Sequence, residues 1–285
     1  MIATLNCPGF RELSQPVARG KIWFRFMRSA STACLLALFM SSVPARAELV
    51  AKTDPPPSFA ERAQKRFSES RTQFRSNRGN PEFALSFGLA AFDHAEYAAD
   101  SEQREEIALE GIAACRSVVA SQPESAAGHY YLAMNLGQLA RTKTLGALRL
   151  VSEMETEFQI SRDLDENFDF AGPDRNLGLL YSEAPGWPTS IGSRSKARHH
   201  LHRAVVLKPD YPENRLNLLE AHLKWGDKAR VSHEFQALKE LWPKAKQEFT
   251  GEPWEASWAD WDMRWGKIQI KYPTEKAPES PRNKK

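Results

Sequence analysis

Along most of the chain apolar residues recur at steps of three and four, and strict alternation of apolar with polar residues, the mark of a half-buried strand, does not occur. This periodicity predicts helices in series. Ser58 is placed to cap the first, which carries Phe59, Ala63, Phe67 and Phe74 on one side. Asn80-Pro81 opens a second, with proline at a tolerated first-turn position and Leu85, Leu89, Phe92 and Ala95 inside. Ser101 opens a third, which carries Ile107, Ile112, Cys115 and Val119 and ends near Pro123. A fourth is expected over 125–139, a fifth from about 145 to 164, and a short sixth over 173–181. Helices over 195–207, 212–225, 228–241 and 252–268 complete the set.

Helix–turn–helix units in series call for a period. Pro209 and Pro243 lie 34 residues apart, each expected to end a helix, and 34 is the length of a tetratricopeptide repeat. The unit that ends at Pro243 starts at Pro212. In it Leu218 and Leu219 face the pairing helix, Trp225-Gly226-Asp227 makes the turn, and Phe235 and Leu238 pack back. Glycine at 226 suits the positive φ that ends a helix. Another unit starts near Ala126, where Leu132-Ala133 sets a large residue beside a small one so that two helices approach closely. In the unit ending at Pro209, Ala197, Leu201 and Ala204 fit the second helix, while Pro185-Gly186-Trp187-Pro188 interrupts the first. A more degenerate unit runs from Pro81 to Pro123. The expected fold is all-α: one right-handed superhelix of helical hairpins over 58–271. Its last helix carries Trp254, Trp258, Trp261 and Trp265 at steps of 4, 3 and 4, a single stripe about 60° wide. That stripe reads as a capping helix that seals the open end of the repeat stack.

The run Gly172-Pro173-Asp174-Arg175-Asn176-Leu177-Gly178-Leu179-Leu180-Tyr181, the loop Ala184-Pro185-Gly186-Trp187-Pro188 and the helix that follows up to Pro209 resemble a diverged tetratricopeptide (TPR) subfamily, the periplasmic T-components associated with TRAP transporters. In those proteins a helix ending in Leu-Tyr and a Pro-Gly loop precede a helix of the type Ala-x-x-His/Tyr-Phe/Leu-x-x-Ala. Here that helix reads Ala197-Arg198-His199-His200-Leu201-His202-Arg203-Ala204. The resemblance covers roughly 125–243; the N-terminal part departs from a clean repeat, and the Trp-rich helix has no counterpart in it. It implies an exported helical solenoid that offers a concave surface to a ligand or partner, working beside a solute-binding protein, with no catalysis.

The 285 residues are 41% hydrophobic and 26% charged, a globular composition, and no run of 18 apolar residues suggests a lasting membrane span. The net charge of +3 is unevenly placed. Residues 1–47 hold Arg11, Arg19, Lys21, Arg25, Arg28 and Arg46 against Glu12 alone, a net +5, so the other residues carry −2. The basic balance belongs to the leader, and no nucleic-acid partner follows from it. Lys21, Arg25 and Arg28 precede a short apolar stretch over 33–43, Pro44 breaks it, and Ala45-Arg46-Ala47 matches a signal-peptidase site. Cleavage of a Sec-type signal is expected between Ala47 and Glu48, which puts the mature protein in the periplasm or outside the cell. Met27 is an alternative start that leaves a 21-residue leader. Cys34 precedes the apolar stretch and Ser31 stands where a lipobox prefers leucine, which disfavours a lipid anchor. Cys7 and Cys34 leave with the leader, and Cys115, set in an apolar helical pattern, reads as a small buried hydrophobe. A linker over 48–57 is stiffened by Pro55, Pro56 and Pro57, and a tail over 272–285, with three prolines among charges, is expected to be disordered.

No G-x-S-x-G, P-loop or dinucleotide fingerprint is present, so the chain reads as non-enzymatic and without a cofactor. His199 and His202 share a helix face, but Lys196, Arg198 and Arg203 beside them oppose a divalent metal. Asp163-x-Asp165-x-Asn167-x-Asp169 begins like a calcium loop, yet Phe168 takes the glycine position and Asp174 the bidentate glutamate position; an acidic helix end is expected instead. The candidate site is the 181–195 loop, longer than the usual 2–8 residues of a helix–helix connection. Arg175 and Arg194 are expected to pair a carboxylate through their planar forks, Tyr181 and Trp187 to supply apolar contact, and Asn176 to stand beside them. Tyr130, Met134 and Gln138, one stripe of an inner helix, are expected to line the neighbouring concave wall. The partner expected there is a protein, with a periplasmic solute-binding or transporter component as the candidate; the structural alternative is a packed loop that closes the groove.

Overall fold

The computed structural model describes residues 57–143 and 146–272. The expected leader, residues 48–56 of the linker and 273–285 of the tail lie outside the described residues. Ten helices follow one another among the described residues, and no strand forms there: α1 (Phe59–Ser76), α2 (Pro81–Ala95), α3 (Ser101–Ser121), α4 (Ala126–Ala140), α5 (Ala147–Leu164), α6 (Phe168–Glu183), α7 (Arg194–Leu207), α8 (Pro212–Trp225), α9 (Lys228–Glu248) and α10 (Glu252–Lys271).

Short-range chemistry sets most of the boundaries. The Ser58 hydroxyl accepts the Glu61 N–H, and the Glu61 carboxylate accepts the Ser58 N–H at 2.7 Å, a complete capping box. Asn80 accepts from the Glu82 N–H at 2.8 Å ahead of Pro81. Asp100 caps α3 through the Gln103 N–H, and Ser125 and Ser193 cap α4 and α7. Gly226 ends α8 with φ 70°, where a side chain is disfavoured.

Two boundaries differ from expectation. Pro243 does not end α9: the helix runs through it to Glu248. The proline ring forfeits one backbone donor, but Trp242 and Ala245 on either side of it are buried, and Trp242 lies 5.4 Å from the Trp258 ring and 5.6 Å from that of Trp265. Packing on α10 outweighs the local penalty of an interior proline, about 3 kcal/mol. The sixth helix begins earlier than Pro173, because Asp169, Phe170 and Ala171 wind left-handed (φ 50°, 56° and 62°) before the regular right-handed turns start at the Gly172-Pro173 marked by the sequence.

The helices pack in succession. α2 pairs with α3, α4 with α5, α6 with α7, and α8 with α9; α2 also touches α4, α4 touches α6, α6 touches α8, and α8 touches α10. The even-numbered helices therefore form a continuous inner row and the odd-numbered ones its outer layer. One apolar core spans α2 to α7, and a second joins α8, α9 and α10. Trp261 and Trp265 of the stripe are buried in the second core, Trp254 and Trp258 partly so, and Tyr211 and Phe249 pack edge-on against Trp261. Each fully buried indole removes roughly 150–250 Å² from water. α10 lies against α8, with Trp254 on Phe170 of α6 and Glu255 on Arg62 of α1. Cys115 is fully buried in the first core.

Candidate functional site

Six of the eight expected site residues lie inside the protein. Tyr130, Met134 and Gln138 on α4 are 0–2% exposed, and Arg175, Asn176 and Tyr181 on α6 at most 8%. The sequence expected Tyr130, Met134 and Gln138 to line an open concave wall; the structure buries them instead. α4 is buried on all sides from Gly128 to Ala140, because α2 closes on it and Phe168 packs edge-on against both Tyr130 and Tyr131.

The left-handed turn at 169–171 is the centre of this interior. Each left-handed residue other than glycine costs about 1–2 kcal/mol, so three in a row need tethers. Arg175 supplies them. One nitrogen donates to the carbonyls of Asp169 (3.1 Å) and Phe170 (3.2 Å) and to Asn214 Oδ1 (3.1 Å), and the other donates to Asp169 Oδ2 at 2.7 Å. The guanidinium also lies 5.3 Å from the Tyr211 ring centroid. Asn214 donates to the Phe170 carbonyl at 3.0 Å, Tyr130 Oη donates to Asp169, and Asn176 donates to Tyr130 Oη at 2.9 Å. The turn thereby lays Phe170 flat on Tyr211 at 4.5 Å and edge-on to Phe249 and Trp254. Arg175 is bound within the fold and does not join Arg194 at the surface. Gln138 donates to Glu96, which Arg141 also holds at 3.1 Å; burial pushes the Glu96 carboxyl upward, against the pull of Arg141.

Asn214, Phe170 and Tyr211 escaped the sequence reading, and Asp169 was read only as part of an acidic helix end. An Asp-Phe-Ala run carries no turn signal, and a buried arginine reads as a surface one. The apparent calcium-loop acids do not converge: Asp163 is exposed and bonded to Arg162, whereas Asp169 is buried on Arg175. His200 bonds to buried Asp174 at 2.8 Å, while His199 and His202 face outward. His222 is buried against Trp225, and His233 is exposed.

The loop is a built structure. The Gly192 N–H donates to the Pro185 carbonyl at 2.8 Å, Ser193 N–H to Tyr181 O at 2.9 Å, and Thr189 N–H to Gly186 O at 3.0 Å; Gly186 and Gly192 form a β-bridge. A Cβ at 192 would lie 2.1 Å from the Ala184 carbonyl oxygen, so only glycine fits. Tyr181 lies beneath, donating to Glu155, with the Lys196 ammonium 4.7 Å from its ring centroid; burial pushes its phenol up to about 12. Trp187 projects from the loop with 89% of its surface in water. Arg194 is exposed, its guanidinium 5.3 Å from the Trp225 ring centroid, with Arg198 at 5.5 Å from the same ring. Of the expected site residues, Trp187 and Arg194 alone are accessible.

No protein-family model and no curated protein matches the chain. Among solved structures, a thermophilic TPR protein from Thermus thermophilus is similar, with a TM-score of 0.52 and 16% identity over 73% of this chain and 91% of that one. The fold is a TPR-like helical repeat. At this identity the likeness concerns the fold.

Proposed function

We propose that the protein is an exported, non-enzymatic scaffold of TPR type that binds a protein partner in the periplasm. The observation that carries this reading is the Trp187 loop: a solvent-exposed tryptophan held by backbone bonds on a helical-repeat frame. Exposed, preorganised tryptophan is the side chain most suited to anchor a protein interface. The export step rests on the leader pattern over 1–47, and a mature chain beginning at Glu48 on N-terminal sequencing tests it; a retained leader refutes it.

The test of the scaffold is affinity purification of the protein from an envelope extract of its source, with mass spectrometry for proteins and for small molecules. A reproducible protein partner lost on Trp187→Ala with Arg194→Ala supports it. The resemblance of Gly172 to Pro209 to TRAP T-components favours a second reading, a ligand-binding accessory of a transport system. A bound small molecule with no protein partner would put that reading first.

A further inference from the structure

We propose that the surface formed by the Trp187 loop and the first two turns of α7 docks an acidic segment of the protein partner. The proposal rests on the scaffold reading and adds its place and its chemistry. Three observations lead to it. The α4 and α6 residues expected to line a binding wall are buried and offer a partner no surface. Trp187 is the most exposed large hydrophobic side chain among the described residues, and backbone bonds hold its loop before any partner arrives, which lowers the ordering cost of docking.

The third observation is charge. From Ala184 to Pro209 the sequence holds Arg194, Lys196, Arg198, Arg203 and Lys208 and no carboxylate. Arg203 is taken up by Asp174 and Glu166. Lys196 pairs with Glu155 at 3.6 Å, and Arg198 lies 4.0 Å from Asp227, which it shares with Arg230 at 3.5 Å. Arg194 has no carboxylate within 4 Å among the described residues. Its guanidinium lies over the Trp225 ring and donates to the Trp225 carbonyl at 3.4 Å, which leaves donors of its fork unused. An arginine with spare donors in a segment that carries cations and no carboxylate of its own, seven residues along the chain from an exposed indole, is complementary to carboxylates flanking an apolar side chain.

The experiment pans the full chain against a random 16-residue peptide library and measures the enriched peptides by fluorescence anisotropy. The expected result is an enriched set of net negative charge whose affinity falls at least about tenfold with Trp187→Ala and with Arg194→Glu, and falls again in roughly 0.5 M salt. Both substituted side chains are exposed, so unchanged far-UV circular dichroism and melting accompany the loss. Neutral or basic enriched peptides overturn the proposal, and so does the absence of any enriched peptide. Acidic peptides whose binding ignores both substitutions overturn the placement while leaving a protein-binding scaffold in force. Binding to phosphatidylglycerol vesicles that Trp187→Ala abolishes, with no peptide enriched, overturns the proposal and the scaffold together in favour of a membrane surface.

Discussion

Arg175 is the residue on which the interior turns. It neutralises Asp169, tethers two carbonyls of a left-handed turn and holds Asn214, all with 1% of its surface exposed. Removing one partner of a buried ion pair leaves the other charge stranded, a loss of about 3–5 kcal/mol. Arg175→Met is expected to destabilise by that amount in urea titration; a loss under about 1 kcal/mol would show that the turn holds without its tether. Cys115 offers a second check at this scale. Burial pushes its thiol up to about 12, so the thiolate is essentially absent at neutral pH. The native protein is expected to resist Ellman's reagent and to react fully in guanidinium; rapid native reaction would contradict the packing of α2 on α3. Cys115 was legible from the sequence because its surroundings are apolar and periodic. Arg175 was not, since no local pattern distinguishes a charge that finds a buried partner six residues back from one that faces water.

At the scale of elements, the helix starts at Ser58 and Asn80 and the stop at Gly226 were readable because each depends on chemistry within three or four residues. The continuation of α9 through Pro243 was not, because Trp242 is held by Trp258 and Trp265, some 16–23 residues further on. The site was legible in the same divided way. Loop length and composition pointed to 181–195, and helical phase found the inner stripe of α4, but phase alone does not say whether an inward face meets solvent or a neighbouring helix. The loop itself is specified by its glycine. Gly192→Ala forces a Cβ onto the Ala184 carbonyl, and overpacking of this kind costs about 1–3 kcal/mol. The expected outcome is a modest drop in melting temperature with a loss of partner binding as large as that of Trp187→Ala. Unchanged binding would mean that the loop need not be rigid.

The whole molecule brings its first and last helices together, since Arg62 on α1 reaches Glu255 on α10 at 2.8 Å. That pair is partly exposed, and such pairs contribute about 0–1 kcal/mol. The tryptophan core under α10 contributes far more, as truncation of a buried tryptophan costs about 3–5 kcal/mol. Glu255→Lys is therefore expected to lower stability by at most about 1 kcal/mol, an effect that high salt removes, while Trp261→Ala lowers it several-fold more. Equal effects in denaturant titrations would contradict that ranking of the ion pair below the core.

The most direct measurement is site-specific photocrosslinking in the source cells, with benzoylphenylalanine placed at Trp187 in one strain and at Ile270, an 83% exposed residue of α10, in another. The account predicts a discrete adduct with one protein from position 187, joined through an acidic stretch of that protein, and none from position 270. Equal adducts from both positions, or adducts from 270 alone, would contradict it.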